Sequence, residues 1–164
     1  MKAGVPFRLV PMEEEHAREI CTWHYDPPYD LYNWKAWEEM QENGEEFADP
    51  FIRKEQYRAV LDEHGQLAGF AQFFPMVGVT RLGLGMKPQL CGSGSGTAFV
   101  RAIAREAVRL NPGHEIDLEV LVWNERAQRA YVKAGFRRTD AYERLTPTGP
   151  ADFYCMVYEE GEAV

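Results

Sequence analysis

The sequence predicts a mixed α/β or α+β fold in a single domain, and three observations carry that prediction. Apolar residues switch along the chain between the two-residue period of strands and the 3.6-residue period of helices. Read in order, the switches give strand, two helices, three strands, helix, strand, helix and two strands, a mixed sheet of about seven strands. The 164 residues match one compact domain, with 45% hydrophobic and 27% charged residues, enough to fill a core without staples.

Residues 7–10 read as a short strand, and Pro11 leads into an acidic first turn, Glu13-Glu14-Glu15, suited to a helix N-terminus. Ala17, Ile20 and Cys21 form its expected buried stripe. Asp26-Pro27-Pro28 breaks the chain, and Asp30 is the expected cap of a second helix. Asn33, Ala36, Trp37 and Met40 would share one face of it, and Gly44 would stop it. Residues 57–61 and 66–74 read as a hairpin around Asp62-Glu63-His64-Gly65. Val77-Gly78 turns the chain into a strand over 79–86, which Pro88 ends because proline cannot donate to a ladder. Phe99, Val100, Ile103, Ala104, Ala107 and Val108 recur at helical spacing, and Asn111-Pro112-Gly113 stops that helix. A strand over 116–122 follows, then a helix capped by Asn124 and ended by Gly135, with Ala127, Ala130, Tyr131 and Ala134 on one face. Residues 136–142 and 153–158 supply the last two strands, with 147–150 between them.

Eighteen basic against 26 acidic residues leave a net charge of −8. That argues against a nucleic-acid partner, which needs a basic face, and suits cationic partners such as amines. Cys21, Cys91 and Cys155 are odd in number and widely spaced, so neither a disulfide framework nor a zinc site is expected. His16, His24, His64 and His114 show no ligand spacing, so no metal is expected. The first residues lack the apolar core of a signal peptide, and no apolar run reaches the ~20 residues of a membrane helix. The expectation is a cytoplasmic protein with no membrane partner.

Chemistry concentrates in Gly92-Ser93-Gly94-Ser95-Gly96-Thr97, a glycine-rich turn between a strand and a helix. Such a turn holds anions on backbone N–H groups and the helix dipole. It lacks the lysine of a Walker loop, the third glycine of a dinucleotide fingerprint and the flanking glycines of a nucleophile elbow.

Residues 86–97 resemble the acyl-CoA loop of the GNAT superfamily of N-acetyltransferases. That family's pattern is Val-x-Pro followed by Arg/Gln-x-x-Gly-x-Gly/Ala. Gly94 and Gly96 take the glycine positions when Pro88 is kept in place, and Cys91 stands at the Arg/Gln position. A shifted register beginning at Gln89 spells the same pattern. Residues 117–136 resemble the family's second motif, through Asn124, Ala127, Tyr131 and Gly135-Phe136. The resemblance implies a GNAT domain over 1–164, with helices on both faces of the sheet. Acceptor-site helices would fall over about 12–44 and an acyl-CoA core over about 57–158.

Several roles follow from that resemblance. Acetyl-CoA is the implied co-substrate, and the implied acceptor is a primary amine of a small molecule or protein N-terminus, attacking directly in a ternary complex. Leu84, Gly85 and Met86 would pair through their backbone with the pantetheine arm, as a substitute strand. The N–H of Met86 or a neighbour would receive the developing oxyanion. Cys91, Gly92, Ser93, Gly94, Ser95, Gly96, Thr97, Asn124 and Ala127 would contact the cofactor. Tyr131 would protonate the leaving thiolate, its other reading being a core tyrosine. Glu119 would be the general base, with Asp117, Tyr154 and a water chain as alternatives and an ion-paired strand residue as the structural reading. Cys91 as a nucleophile would instead give a ping-pong route. The aromatic stretch 23–37 resembles a bacterial GNAT subgroup, which places Tyr25, Tyr29, Tyr32 and Asn33 at the acceptor pocket, with Asp26 or Asp30 drawing an ammonium. Packing into the core is the other reading of those aromatics. A homodimer is a further expectation, and a non-catalytic CoA-binding module is the alternative to an enzyme.

Overall fold

Seven strands hydrogen-bond in the order β1-β2-β3-β4-β5-β7-β6. This computed structural model describes residues 6–159; the first five residues, read above for a leader, lie outside them. By backbone proximity the chain forms two compact units. One holds the residues up to Gln72 together with Leu84–Ser95, and the other holds Phe73–Gly83 and the residues from Gly96 onward.

In the first unit, β1 (Arg8–Pro11) pairs antiparallel with β2 (Tyr57–Leu61). Pro11 is tolerated because β1 is an edge strand. Helix α1 (Glu14–Ile20) starts where His16 Nδ1 accepts the Glu13 backbone N–H at 3.0 Å. Ala17 and Ile20 are buried as expected.

The second helix differs from expectation. Asp30 lies in a 3₁₀ turn, Tyr29–Tyr32, and caps nothing. The chain then runs extended to Ala36, and α2 spans Trp37–Asn43. The reason is Asn33, whose side chain holds the Tyr25 amide and whose backbone is extended at φ −68°, ψ 138°. Of the four residues assigned to one face, only Trp37 and Met40 are buried. Gly44 stops α2 at φ +62°, as expected.

A further helix, α3 (Pro50–Gln56), was not foreseen. Asp49 Oδ1 accepts the Phe51 and Ile52 amides at 2.8 and 3.1 Å, and Pro50 sits in the first turn, where its missing N–H costs nothing. Asp49-Pro50 was a readable signal for it. The core of this unit gathers Ile20, Trp37, Met40, Phe47, Tyr57 and Phe70. Trp34 and Tyr57 meet Phe47 edge-on, with ring centres 4.7 and 5.4 Å away. Much of the aromatic segment therefore does pack inward.

Strands β3 (Leu67–Met76) and β4 (Val79–Met86) belong partly to each unit. In the second unit, β4 pairs parallel with β5 (Glu115–Leu121) over Val79–Leu82. Helix α4 (Gly96–Leu110) buries Phe99, Val100, Ile103, Ala104 and Ala107. Helix α5 (Glu125–Ala134) ends at Gly135, φ +114°. Strands β6 (Phe136–Thr146) and β7 (Gly149–Tyr158) run several residues past their expected inner ends, paired to Thr146–Gly149 around Pro147-Thr148. Among the described residues, no helix is long and apolar enough to cross a membrane.

Candidate active site

Leu84, Gly85 and Met86 follow the β4 residues Val79–Leu82 in the chain and belong to the first unit. Gly85 packs closely against the Phe70 ring: a Cβ there would come within 2.3 Å of it. The Lys87 N–H donates to the Ala68 carbonyl at 2.8 Å, fixing the strand end. The Tyr25 hydroxyl donates to the Met86 carbonyl at 2.6 Å.

Cys91 donates its S–H to the carbonyls of Met86 and Lys87, each 3.7 Å away. The thiol proton is thus aimed at carbonyl oxygens of its own turn, an arrangement that braces the turn. Gly92 and Gly94 follow at φ +79° and +91°, with open space where side chains would start. Only glycine enters that backbone region freely. Ser93 Oγ donates to the Leu90 carbonyl at 2.6 Å and lies 3.0 Å from Ser95 Oγ. Among the described residues, the amides of Gly94 and Ser95 have no hydrogen-bond partner. The turn is thus shaped to take an anion such as a pyrophosphate, with room for backbone approach.

In the second unit, the first amides of α4 lack intrahelical acceptors by construction. Gly96 and Thr97 open that helix, and a Cβ on Gly96 would sit 3.5 Å from Ala130. Asn124 is buried and caps α5, its Oδ1 accepting the Ala127 amide at 3.2 Å. Gln128, which the sequence did not single out, donates to the Leu121 and Val122 carbonyls at 3.1 and 2.9 Å and braces the same turn. Tyr131 is half-buried two turns into α5, its ring 6.0 Å from Phe136.

The carboxylates of β5 are heavily partnered. Arg81 forks onto Asp117 at 2.7 and 3.0 Å, and Cys155 Sγ lies 3.6 Å from Asp117 Oδ2. Arg81 also reaches Glu119 at 3.3 Å. Glu119 accepts further from the Tyr142 hydroxyl at 2.6 Å and from Arg144. Hydrogen bonding to Asp117 holds the Arg81 guanidinium charged above its ordinary range. Burial, then the Glu119 hydrogen bond, pushes the Tyr142 phenol up. Burial and the Asp117 charge likewise raise the Cys155 thiol. Nothing in the strand pattern announced this network, because its members come from four strands. Tyr154 carries the Arg138 guanidinium over its ring at 4.2 Å.

Tyr29 and Asn33 are half-buried and Tyr32 is exposed. The histidines serve locally: beyond the His16 cap, His114 Nδ1 lies 3.0 Å from Thr80 Oγ1. Among the described residues, no group of three or more His, Cys, Asp and Glu side chains is arranged to hold a metal.

The model of the acetyltransferase (GNAT) family matches residues 16–136, most of the chain. The chain belongs to that family. No curated protein sequence matches it significantly. Solved structures that share the fold include a chimera of the Vibrio cholerae spermidine N-acetyltransferase SpeG with hSSAT, 18% identical with a TM-score of 0.74. That likeness covers 93% of this chain and 95% of the chimera. The Vibrio cholerae enzyme in complex with CoA and spermine gives a TM-score of 0.67 at 17% identity, over 94% and 95% of the two chains. Its dodecameric form in an intermediate state gives 0.68 at 17% identity, over 94% of each chain. The GNAT fold expected from the two motifs is therefore the one present, and acetyl transfer to an amine is the family's reaction class.

Proposed function

We propose that the protein moves an acetyl group from acetyl-CoA to the primary amine of a small cationic molecule, with aliphatic polyamines first among the acceptors. The observation that carries this reading is the turn before α4: two positive-φ glycines with open space above them, and the Gly94 and Ser95 amides without partners among the described residues. It suits a pyrophosphate, and the strand-end backbone of Leu84–Met86 suits an amide-rich pantetheine arm as a substitute partner. The acceptor class is supported by the net charge of −8, by exposed Asp26 and Asp30 beside Tyr29 and Tyr32, and by the spermine held by the related structure.

In the proposed reaction the neutral amine nitrogen attacks the thioester carbonyl carbon. A backbone N–H at Met86 or a neighbour stabilises the negative oxygen, the C–S bond breaks, and the Tyr131 hydroxyl gives its proton to the sulfur; the proton that the acylated nitrogen loses returns through water to the tyrosinate. A phenol near pKa ~10 keeps that proton at neutral pH. An ammonium near ~10.4 must first lose one, so a base is required. Both oxygens of Glu119 are already engaged by Arg81, Tyr142 and Arg144. Water is therefore the better-supported base, and Glu119 the rival. A Glu119→Gln pH–rate profile decides between them: a lost acidic limb restores Glu119. Direct attack of the amine on the thioester, with no acetyl-cysteine formed, is part of the proposal; the Cys91 thiol donates to the Met86 and Lys87 carbonyls. Cysteines outside any disulfide suit a reducing compartment such as the cytoplasm.

The test is calorimetric titration with acetyl-CoA, with ATP and NAD as controls, then CoA release with spermidine, an amino acid and a peptide N-terminus. Binding of acetyl-CoA alone and turnover of spermidine are expected. Binding without turnover of any amine would leave a CoA-binding module.

A further inference from the structure

Tyr25 and Asn33 are residues that the resemblance places at the acceptor pocket, and their hydrogen bonds point to a further task. Asn33 Oδ1 accepts the Tyr25 backbone N–H at 2.7 Å, closing the neck of the loop between them. The Tyr25 phenol reaches from that neck to the Met86 carbonyl at 2.6 Å. The Cys91 thiol, at the start of the glycine turn, points to the same carbonyl. One oxygen at the end of β4 thus collects the neck of the aromatic loop and the base of the glycine turn, all within the first unit. The tip of the loop meanwhile stands in solvent, with Leu31 and Tyr32 exposed.

A loop hydrogen-bonded at its neck and exposed at its tip shares its order with whatever the neck is tied to. A tie to the strand that carries the thioester makes the order of the acceptor loop and the occupancy of the cofactor strand one equilibrium, and such coupling is reciprocal. Resting on the reading of β4 and the glycine turn as the acetyl-CoA site, we infer that the Tyr25 hydroxyl is a positioning group that couples the acceptor loop to the cofactor strand through the Met86 carbonyl. Asn33 serves it by holding the neck closed. Neither side chain needs to touch the amine.

Amide hydrogen exchange with CoA as the probe tests this in the full chain. In the wild type, saturating CoA should slow exchange at residues 92–97 and also, by about fivefold or more, across residues 26–33. In Tyr25→Phe the slowing at 92–97 should persist while that at 26–33 falls below about twofold. The same variant should raise the amine KM while kcat at saturation changes little. Asn33→Ala should share the defect, and Asn33→Asp, which keeps the accepting oxygen, should restore it. Should Tyr25→Phe fail to fold, the Asn33 pair decides. Equal slowing of the loop in wild type and Tyr25→Phe overturns the inference alone. CoA that leaves residues 92–97 of the wild type unchanged overturns the cofactor reading and the inference with it.

Discussion

The carboxylates of β5 and the glycine turn before α4 stand at opposite ends of a scale of hydrogen-bond saturation. Each of the four oxygens of Asp117 and Glu119 has a donor from Arg81, Tyr142, Arg144 or Cys155. In the turn, the amides of Gly94 and Ser95 have none among the described residues, and the space over the glycines is open. A polar group already satisfied by the protein gains little from a ligand, whereas an amide that faces solvent can exchange its water for a ligand acceptor at a net gain of about 1 kcal/mol. The charged cluster is satisfied within its own unit, and the uncharged turn is the surface we propose for the ligand.

The largest effect expected from this contrast lies outside both regions, at the group assigned to the thiolate. Tyr131→Phe should lower kcat by about 10²-fold or more while acetyl-CoA affinity stays within about threefold. Unchanged turnover removes Tyr131 from the reaction. Next comes the saturated cluster. Arg81→Met leaves buried Asp117 without its fork, and denaturant unfolding should show a loss of about 3 kcal/mol. Adding Asp117→Asn should recover part of it; a stability unmoved by Arg81→Met would break the structural side of the contrast. Gly94→Ala puts a Cβ into open space at φ +91°, so the cost is conformational, about 1–2 kcal/mol. It should also weaken acetyl-CoA about tenfold by calorimetry, and unaltered affinity would break the receptive side.

The smallest effect is a control in neither region. Burial first, and then the Glu38 charge, pushes the Cys21 thiol up to about 11. An unfolded cysteine titrates near ~8.5, so between those values the folded chain binds the proton more tightly. The stability this contributes is whole below pH ~8.5 and is lost as pH rises through about 11. Unfolding midpoints over that range should fall in the wild type and fall less in Cys21→Ala.

What the sequence disclosed followed from local physics. Asn124 and Gly135 bound α5 because a cap and a left-handed stop act on their own turn. Val79–Met86 was read to the residue, since Val77-Gly78 and Pro88 punctuate both ends. What stayed hidden depends on partners distant in the chain. Asp30 looked like a cap until Asn33 was seen holding the Tyr25 amide. Glu119 looked available until Tyr142 and Arg144, more than twenty positions away, were found on it. The long β6–β7 hairpin hid behind Pro147 and Pro150, which read as a broad loop although only two residues turn.

Phe70 occupies the space that a side chain at position 85 would need. The two positions therefore behave as one volume divided unevenly. Neither can change size without the other, so a history of substitutions at this place must pass through paired changes or through a weakened intermediate. Gly85→Ala alone should bend the strand end away from its ring, and Phe70→Leu alone should leave a void. Together they exchange bulk across the same gap, and the pair is expected to be milder than the sum of its parts.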